Sequence, residues 1–429
     1  MEPAPGATLL IAVQKGAAKA LVGVLRGRSL STVLDDRDLG RLGVWERAAV
    51  HEAAYGSLRH LGELRGCLRQ LLREPLDDTR VEALLIVALY QLQRSRMAPH
   101  AVVDNAVECT RILGAGHAKG LVNAVLRNFL RNAEATLTGA HGTDEGLYSY
   151  PVWWIRKLKA QQPDCWESIL EAGNEHPPFT LRINRRRVTM RDYLRRLEDA
   201  GLDSRQTGPS AVTLARAMPV AELPGFSAGA VSVQDAGAQF AAPLLDVRDG
   251  MRVLDACAAP GGKTAHLLEL AGLELLALDC DTARLRRVNE NLRRLGLKAE
   301  VAQGDAATPH HWWDGRPFDR VLADVPCSAS GVVRRHPDVK WLRRESDAER
   351  FTQRQRELAD ALWQTLAQGG KFLYATCSVF REENQDQAEA FLSRHHDARH
   401  LPVGGLQADG ALLPNHDHDG FFYSLFQKD

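Results

Sequence analysis

This chain of 429 residues has no net charge: 54 lysines and arginines balance 54 aspartates and glutamates. Overall charge therefore gives no case for a polyanionic partner, although a balanced total can hide local basic surfaces. Cysteine is scarce and unpaired in pattern. There are seven, an odd number with no regular spacing, which argues for a reducing compartment over a disulfide framework. No CxxC pair occurs, so no structural zinc is expected, and the site is read as metal-free. Long apolar runs are also missing. The opening MEPAPGATLLIAVQKG has a short apolar stretch with no basic residue before it and fails as a signal sequence. VEALLIVALYQL, Val81 to Leu92, is too short to span a bilayer. A cytoplasmic protein without a membrane partner is expected, and nothing suggests an exposed coiled-coil seam, so a monomer is expected too.

The length calls for two or three domains. From Gly6 to about Arg131 apolar residues recur at helical intervals, as in AVVDNAVECTRIL and AKGLVNAVLRNFL, so residues 1–140 are expected to form an all-helical bundle. This region carries 18 basic against 14 acidic residues, a mild bias of +4. Residues 133–149 are small and polar and read as a linker. Residues 150–247 read as a small α+β unit in which FTLRINRRRVT alternates like a strand. Its run Arg182, Arg185, Arg186 and Arg187, and the arginines at 284, 286, 287, 293 and 294, read either as phosphate-binding surfaces or as solvated faces. From residue 248 to 429, short apolar runs alternate with amphipathic helices, the pattern of a Rossmann-like, doubly wound parallel sheet.

In such sheets the loop after the first strand approaches a ligand most closely. Here it is Cys257, Ala258, Ala259, Pro260, Gly261, Gly262 and Lys263, whose small side chains let backbone N–H groups reach a ligand. Asp279 ends the second strand, where a carboxylate would accept ribose hydroxyls, and Asp305 in QGDA could accept from an adenine amino group. Each acid has a plainer reading as a strand-end carboxylate. Together they suggest a nucleoside pocket without a pyrophosphate grip, which suits S-adenosylmethionine.

Cys327 in ADVPCSASG and Cys377 in LYATCS each close an apolar run on that same sheet edge. A thiolate attacking C6 of a pyrimidine would make C5 nucleophilic enough to accept a methyl group. Asp324 could bond the ring edge, and one cysteine could help remove the C5 proton. Spacing does not say which cysteine does which, and buried cysteines are often only small hydrophobes. HDHDG, His416 to Gly420, reads as a turn, His310 to Trp313 as a strand-connecting loop, and Cys67, Cys109 and Cys165 as core.

DACAAPGGKTAHLLEL, ADVPCSASGV and ATCS together resemble the RNA (cytosine-5)-methyltransferases of the Sun/Nop2 superfamily, and the helical region resembles the NusB-like RNA-binding domain. The resemblance covers about Val231 to the C-terminus. It implies S-adenosylmethionine lined by Cys257 to Lys263, with Asp279 at its ribose, Asp305 at its adenine and Asp324 between cofactor and target base. It also implies Cys377 as nucleophile and Cys327 as the residue assisting release. The implied substrate is 16S rRNA, naked or in an early assembly intermediate, at cytosine 967. A methyltransferase for another rRNA or tRNA cytosine, or a non-catalytic RNA-binding protein with a degenerate methyltransferase fold, stays open.

Overall fold

The computed structural model describes residues 7–35 and 42–429. The first six residues of the stretch weighed as a signal sequence lie outside them. The described chain forms two units, one running to Glu175 and including Val333–Glu345, the other made of His176–Val332 and Ser346–Asp429.

The first unit is helical. Its axis is the helix Thr79–Arg94, begun by an Asp78 cap that accepts the N–H of Arg80, and its residues Ala83 to Gln91 are all buried. The apolar run at Val81 is thus the centre of a bundle, and no described helix is long and apolar enough to cross a membrane. Ala7–Leu25, Val44–Arg59, Leu61–Leu71, Pro99–Ile112 and Lys119–Arg131 surround it. Cys67 and Cys109 are in this core as expected, whereas Cys165 is only half-buried.

Residues 133–149 are not a linker: they form the helices Ala133–Ala140 and Asp144–Tyr148. Their small residues reflect close packing. A Cβ on Gly66 would lie 2.8 Å from that of Ala140, and one on Gly62 would lie 2.2 Å from the Glu145 carbonyl. The inserted segment Val333–Glu345 is held by Lys340, whose buried Nζ donates to the carbonyls of Arg59 (2.7 Å) and Ser149 (2.8 Å) and to Asn174 Oδ1 (2.8 Å).

The second unit contains two sheets. β1 (Phe179–Ile183), β2 (Ser204–Gln206), β3 (Ala211–Leu214) and β4 (Val231–Val233) form an antiparallel sheet in the order β2-β3-β1-β4. The larger sheet contains β5 (Arg252–Ala256), β6 (Glu274–Asp279), β7 (Glu300–Gln303), β8 (Phe318–Asp324), β9 (Leu366–Thr376), β10 (Ala398–Leu401) and β12 (Phe421–Lys428), with β11 (Ala411–Leu412) beside β12. Strands β9-β8-β5-β6-β7 are parallel; the nearly unbroken burial of β5 and β6 suits strands covered on both faces, whereas the edge strand β7 has no buried residue. The sheet is not parallel throughout: β12 pairs antiparallel to β9, and β10 antiparallel to β12. The order reverses between β5 and β8, which opens a crevice at their carboxyl ends.

The arginine runs are partly structural. Arg182 is fully buried; its Nε and Nη2 grip Glu269 at 3.0 and 2.8 Å, and its Nη1 donates to the Gly262 carbonyl at 2.9 Å and to Gln234. Arg187 donates to the Leu295 carbonyl, Arg284 to that of Ala259, and Arg294 to those of Phe226 and Val231. Arg185, Arg186, Arg286, Arg287 and Arg293 remain exposed. Removing one member of a buried pair strands the other charge, so Arg182→Leu should cost about 3–5 kcal/mol in urea unfolding. A loss below about 1 kcal/mol would show that Glu269 finds other partners.

Candidate active site

The glycine turn is shaped by its backbone. Cys257 has a left-handed φ of 61° and Gly261 one of 94°. The latter suits glycine, since a Cβ there would also come within 3.1 Å of Val288 Cα. Gly261 caps the helix Gly262–Leu270, while Ala258 and Ala259 are buried. Asp279, buried at the end of β6, accepts the N–H of Ala259 and of Asp281, each at 3.0 Å, and so ties the turn to the next loop. Asp305 accepts the N–H of Ala307 at 2.9 Å and pairs with Arg354. Trp312 donates to the Asp305 carbonyl at 2.9 Å, so the His310 to Trp313 segment braces this loop.

Asp255 lies beneath the turn. Thr264 Oγ1 donates to its Oδ2 at 2.6 Å, but its buried Oδ1 has no hydrogen-bond partner among the described residues. An orphaned oxygen below a turn of small residues, with Asp279 and Asp305 on successive strand ends, fits a polar nucleoside cofactor. Burial also pushes the Cys257 thiol upward, leaving it a neutral wall of the turn.

The two thiols meet. Cys327 Sγ and Cys377 Sγ are 3.4 Å apart, within hydrogen-bond distance for sulfur, and the Gly331 N–H donates to the Cys377 carbonyl at 2.8 Å. Parallel pairing of β8 with β9 sets their following loops side by side. Next to them Lys263 Nζ lies 2.6 Å from Asp324 Oδ2. Burial alone would lower Lys263; Asp324, followed by Cys377 and Asp255, carries it above the ordinary lysine value. Lys263, placed by sequence on the cofactor loop, therefore also supplies positive charge at the thiols. Cys327 is pushed well above the ordinary thiol range by its bond with Cys377, then by burial and by the charges of Cys377 and Glu383.

Sequence reasoning missed Ser328, Ser378, Gln355 and Glu383. Both serines are buried and bonded to Glu383. The signal was present as a serine directly after each cysteine. At the tail, Asn415 Oδ1 accepts the N–H of Asp417 and of His418, so HDHDG is a side-chain-bridged turn.

Asp255 carries a pH consequence. Burial raises it from 3.8 to about 7, against the bond from Thr264. Between those limits the folded chain keeps a proton that the unfolded chain loses, so this group's contribution to stability falls as pH rises from about 4 to about 7. Asp255→Asn keeps the Thr264 contact without the proton. Relative to the parent, its melting temperature should be higher at pH 8 than at pH 5; a difference independent of pH would contradict the assignment.

Comparison with known proteins agrees with this architecture. Residues 242–427 match the family model of the 16S rRNA methyltransferase RsmB/F, 150–221 the ferredoxin-like domain of RsmF/B-like methyltransferases, and 12–131 the NusB family. The ribosomal RNA small subunit methyltransferase B of Serratia proteamaculans is 45% identical over 420 residues, covering 96% of this chain and 97% of that protein. Its counterpart in Vibrio cholerae is 43% identical, with 97% of each covered. The crystal structure of PH0851 superimposes with a TM-score of 0.79 at 23% identity, over 96% of this chain and 99% of that one. NSun6 from Pyrococcus horikoshii, solved with SFG, gives a TM-score of 0.60 at 19% identity, over 66% and 99%. The two structural likenesses bear on the fold alone. With its NusB-type helical region, ferredoxin-like sheet and methyltransferase sheet, the chain belongs to the RsmB/Sun family of ribosomal RNA methyltransferases.

Proposed function

We propose that this protein transfers a methyl group to C5 of a cytosine in 16S rRNA, at position 967, through a covalent Cys377–C6 adduct. The observation that carries the reading is the thiol pair, 3.4 Å apart, beside the Lys263–Asp324 ion pair at the crevice edge. Residues 1–140 and 150–247 would hold the RNA and residues 248–429 would perform the chemistry, in a cytoplasmic monomer acting on naked RNA or an early assembly intermediate. Exposed Arg185 and Arg186 would contact phosphates, with affinity falling as salt rises.

The cofactor is S-adenosylmethionine. Support comes from the orphaned Asp255 oxygen and from SFG, an analogue of it, bound to the NSun6 relative of the fold. Cys257 to Lys263 would line it, Asp279 would take its ribose hydroxyls and Asp305 its adenine. When bound, it supplies an electrophilic methyl group.

Cys377 attacks C6 of a cytosine taken out of its stack, and the electron pair of the C5–C6 bond moves onto C5. Asp324 holds the ring edge through N3 or the exocyclic amine, and Lys263 offsets the charge that grows on the ring. Once Cys377 is bonded to C6, its hydrogen bond and charge no longer hold the proton on Cys327, and Cys327 releases that proton to solvent. After methyl transfer Cys327 takes the C5 proton as a thiolate, while the electrons of the C5–H bond reform the C5–C6 bond and Cys377 leaves as a thiolate.

Denaturing gels of protein incubated with 16S rRNA and cofactor test these roles. Cys327→Ala should accumulate RNA-linked protein, and Cys377→Ala should show none. The reverse pattern would exchange the two cysteines, and absence of a linked species in both would remove the covalent mechanism. In calorimetry the unmodified chain should bind S-adenosylmethionine; failure to bind would overturn the cofactor assignment.

A further inference from the structure

One buried carboxylate, used in no step above, grips both cysteine loops. Glu383 lies in the short turn Arg381–Glu383 and is about 1% exposed. Its Oε1 accepts the Ser328 N–H at 2.8 Å and Gln355 Nε2 at 3.1 Å. Its Oε2 accepts the hydroxyls of Ser328 and Ser378, each at 2.5 Å. Gln355 also donates to the carbonyl of Pro326, at 3.0 Å, so the residues on both sides of Cys327 are held. Ser378, next to Cys377, contacts Ser330 Oγ at 2.9 Å, and Ser330 Oγ accepts the Val379 N–H at 2.9 Å. Among the described residues no cation pairs with Glu383; burial raises its carboxyl above the ordinary glutamate value, and the hydrogen bonds from Ser328, Ser378 and Gln355 act the other way, in favour of the charged form.

We propose that Glu383 is a positioning residue for the thiol pair: its buried negative charge beside Cys327, opposed by the Lys263 ammonium beside Cys377, keeps their shared proton on Cys327 and the anion on Cys377. The inference rests on the reading of this pair as catalytic, because it gives one cysteine the nucleophile's role and the other the proton carrier's. Two cysteines alike in sequence thus become unlike through what faces them. Glu383 is among the charges that lift Cys327, and Cys377 is among those that lift Lys263. Tyr374 on β9 and Tyr423 on β12 face the same region as neutral phenols, both raised by burial. The remaining facing carboxyls are Asp324, matched by Lys263, together with Asp255 and Asp235.

Labelling the unmodified chain with isotope-coded iodoacetamide, without RNA or cofactor, tests the proposal across about pH 6 to 9 by peptide mass analysis. Cys377 should label first throughout this range, while Cys327 stays slow. Glu383→Gln, which keeps the size and removes the charge, should raise the Cys327:Cys377 labelling ratio roughly tenfold. A merely structural role would change both rates together and leave the ratio alone. Glu383→Asp, with the charge drawn back by one methylene, should give an intermediate ratio, and it serves if the glutamine variant does not fold. Prior labelling of Cys327 in the parent, or an unchanged ratio in either folded variant, would overturn the proposal. Since no RNA is present, absence of an RNA adduct would count against the methylation mechanism and leave this result standing.

Discussion

The contact between Cys327 and Cys377 is the constraint around which the catalytic unit is arranged. A separation of 3.4 Å allows one proton to lie between two sulfurs, and such closeness has to be enforced by the surrounding loops. β8 and β9 deliver those loops in parallel, Gly331 bonds back to the Cys377 carbonyl, and Gly331 packs against Gly420 so closely that a Cβ would stand 2.2 Å from its carbonyl oxygen. The serine–glutamate knot then fixes the loops to each other. Without these ties the thiols would lose their 3.4 Å contact.

The same economy governs the turn after β5. Asp279 is held by two backbone N–H groups, and Arg182, from the antiparallel sheet, reaches the carbonyl of Gly262 while its charge is balanced by Glu269. The small sheet therefore braces the glycine turn through a buried guanidinium. An arginine in a basic run can be read as a phosphate ligand from sequence, yet here its worth lies in ordering backbone that approaches a ligand.

Much of this was legible in the sequence because it depends on local pattern. The glycine turn, Asp279, Asp305, and the two cysteines all sit at the ends of apolar runs, and a doubly wound sheet brings strand ends together. What was not legible depends on contacts between distant residues. Glu383 reads as one acid among several in VFREEN, and only folding sets it against Ser328, 55 residues away in sequence. Residues 133–149 resemble a linker because alanine, glycine and threonine serve both flexible chain and tight helix contacts; Gly62 and Gly66 decide between them. The antiparallel place of β12 was equally hidden, since its apolar run suits either direction.

The central claim, that these sulfurs act on a cytosine ring, is tested most directly with 16S rRNA containing 5-fluorocytosine, whose C5 substituent cannot leave as a proton does. Incubation with S-adenosylmethionine followed by peptide mass mapping should find methylated base joined to Cys377. Linkage at Cys327, or methylation of ordinary RNA with no trapped species at either cysteine, would contradict the account.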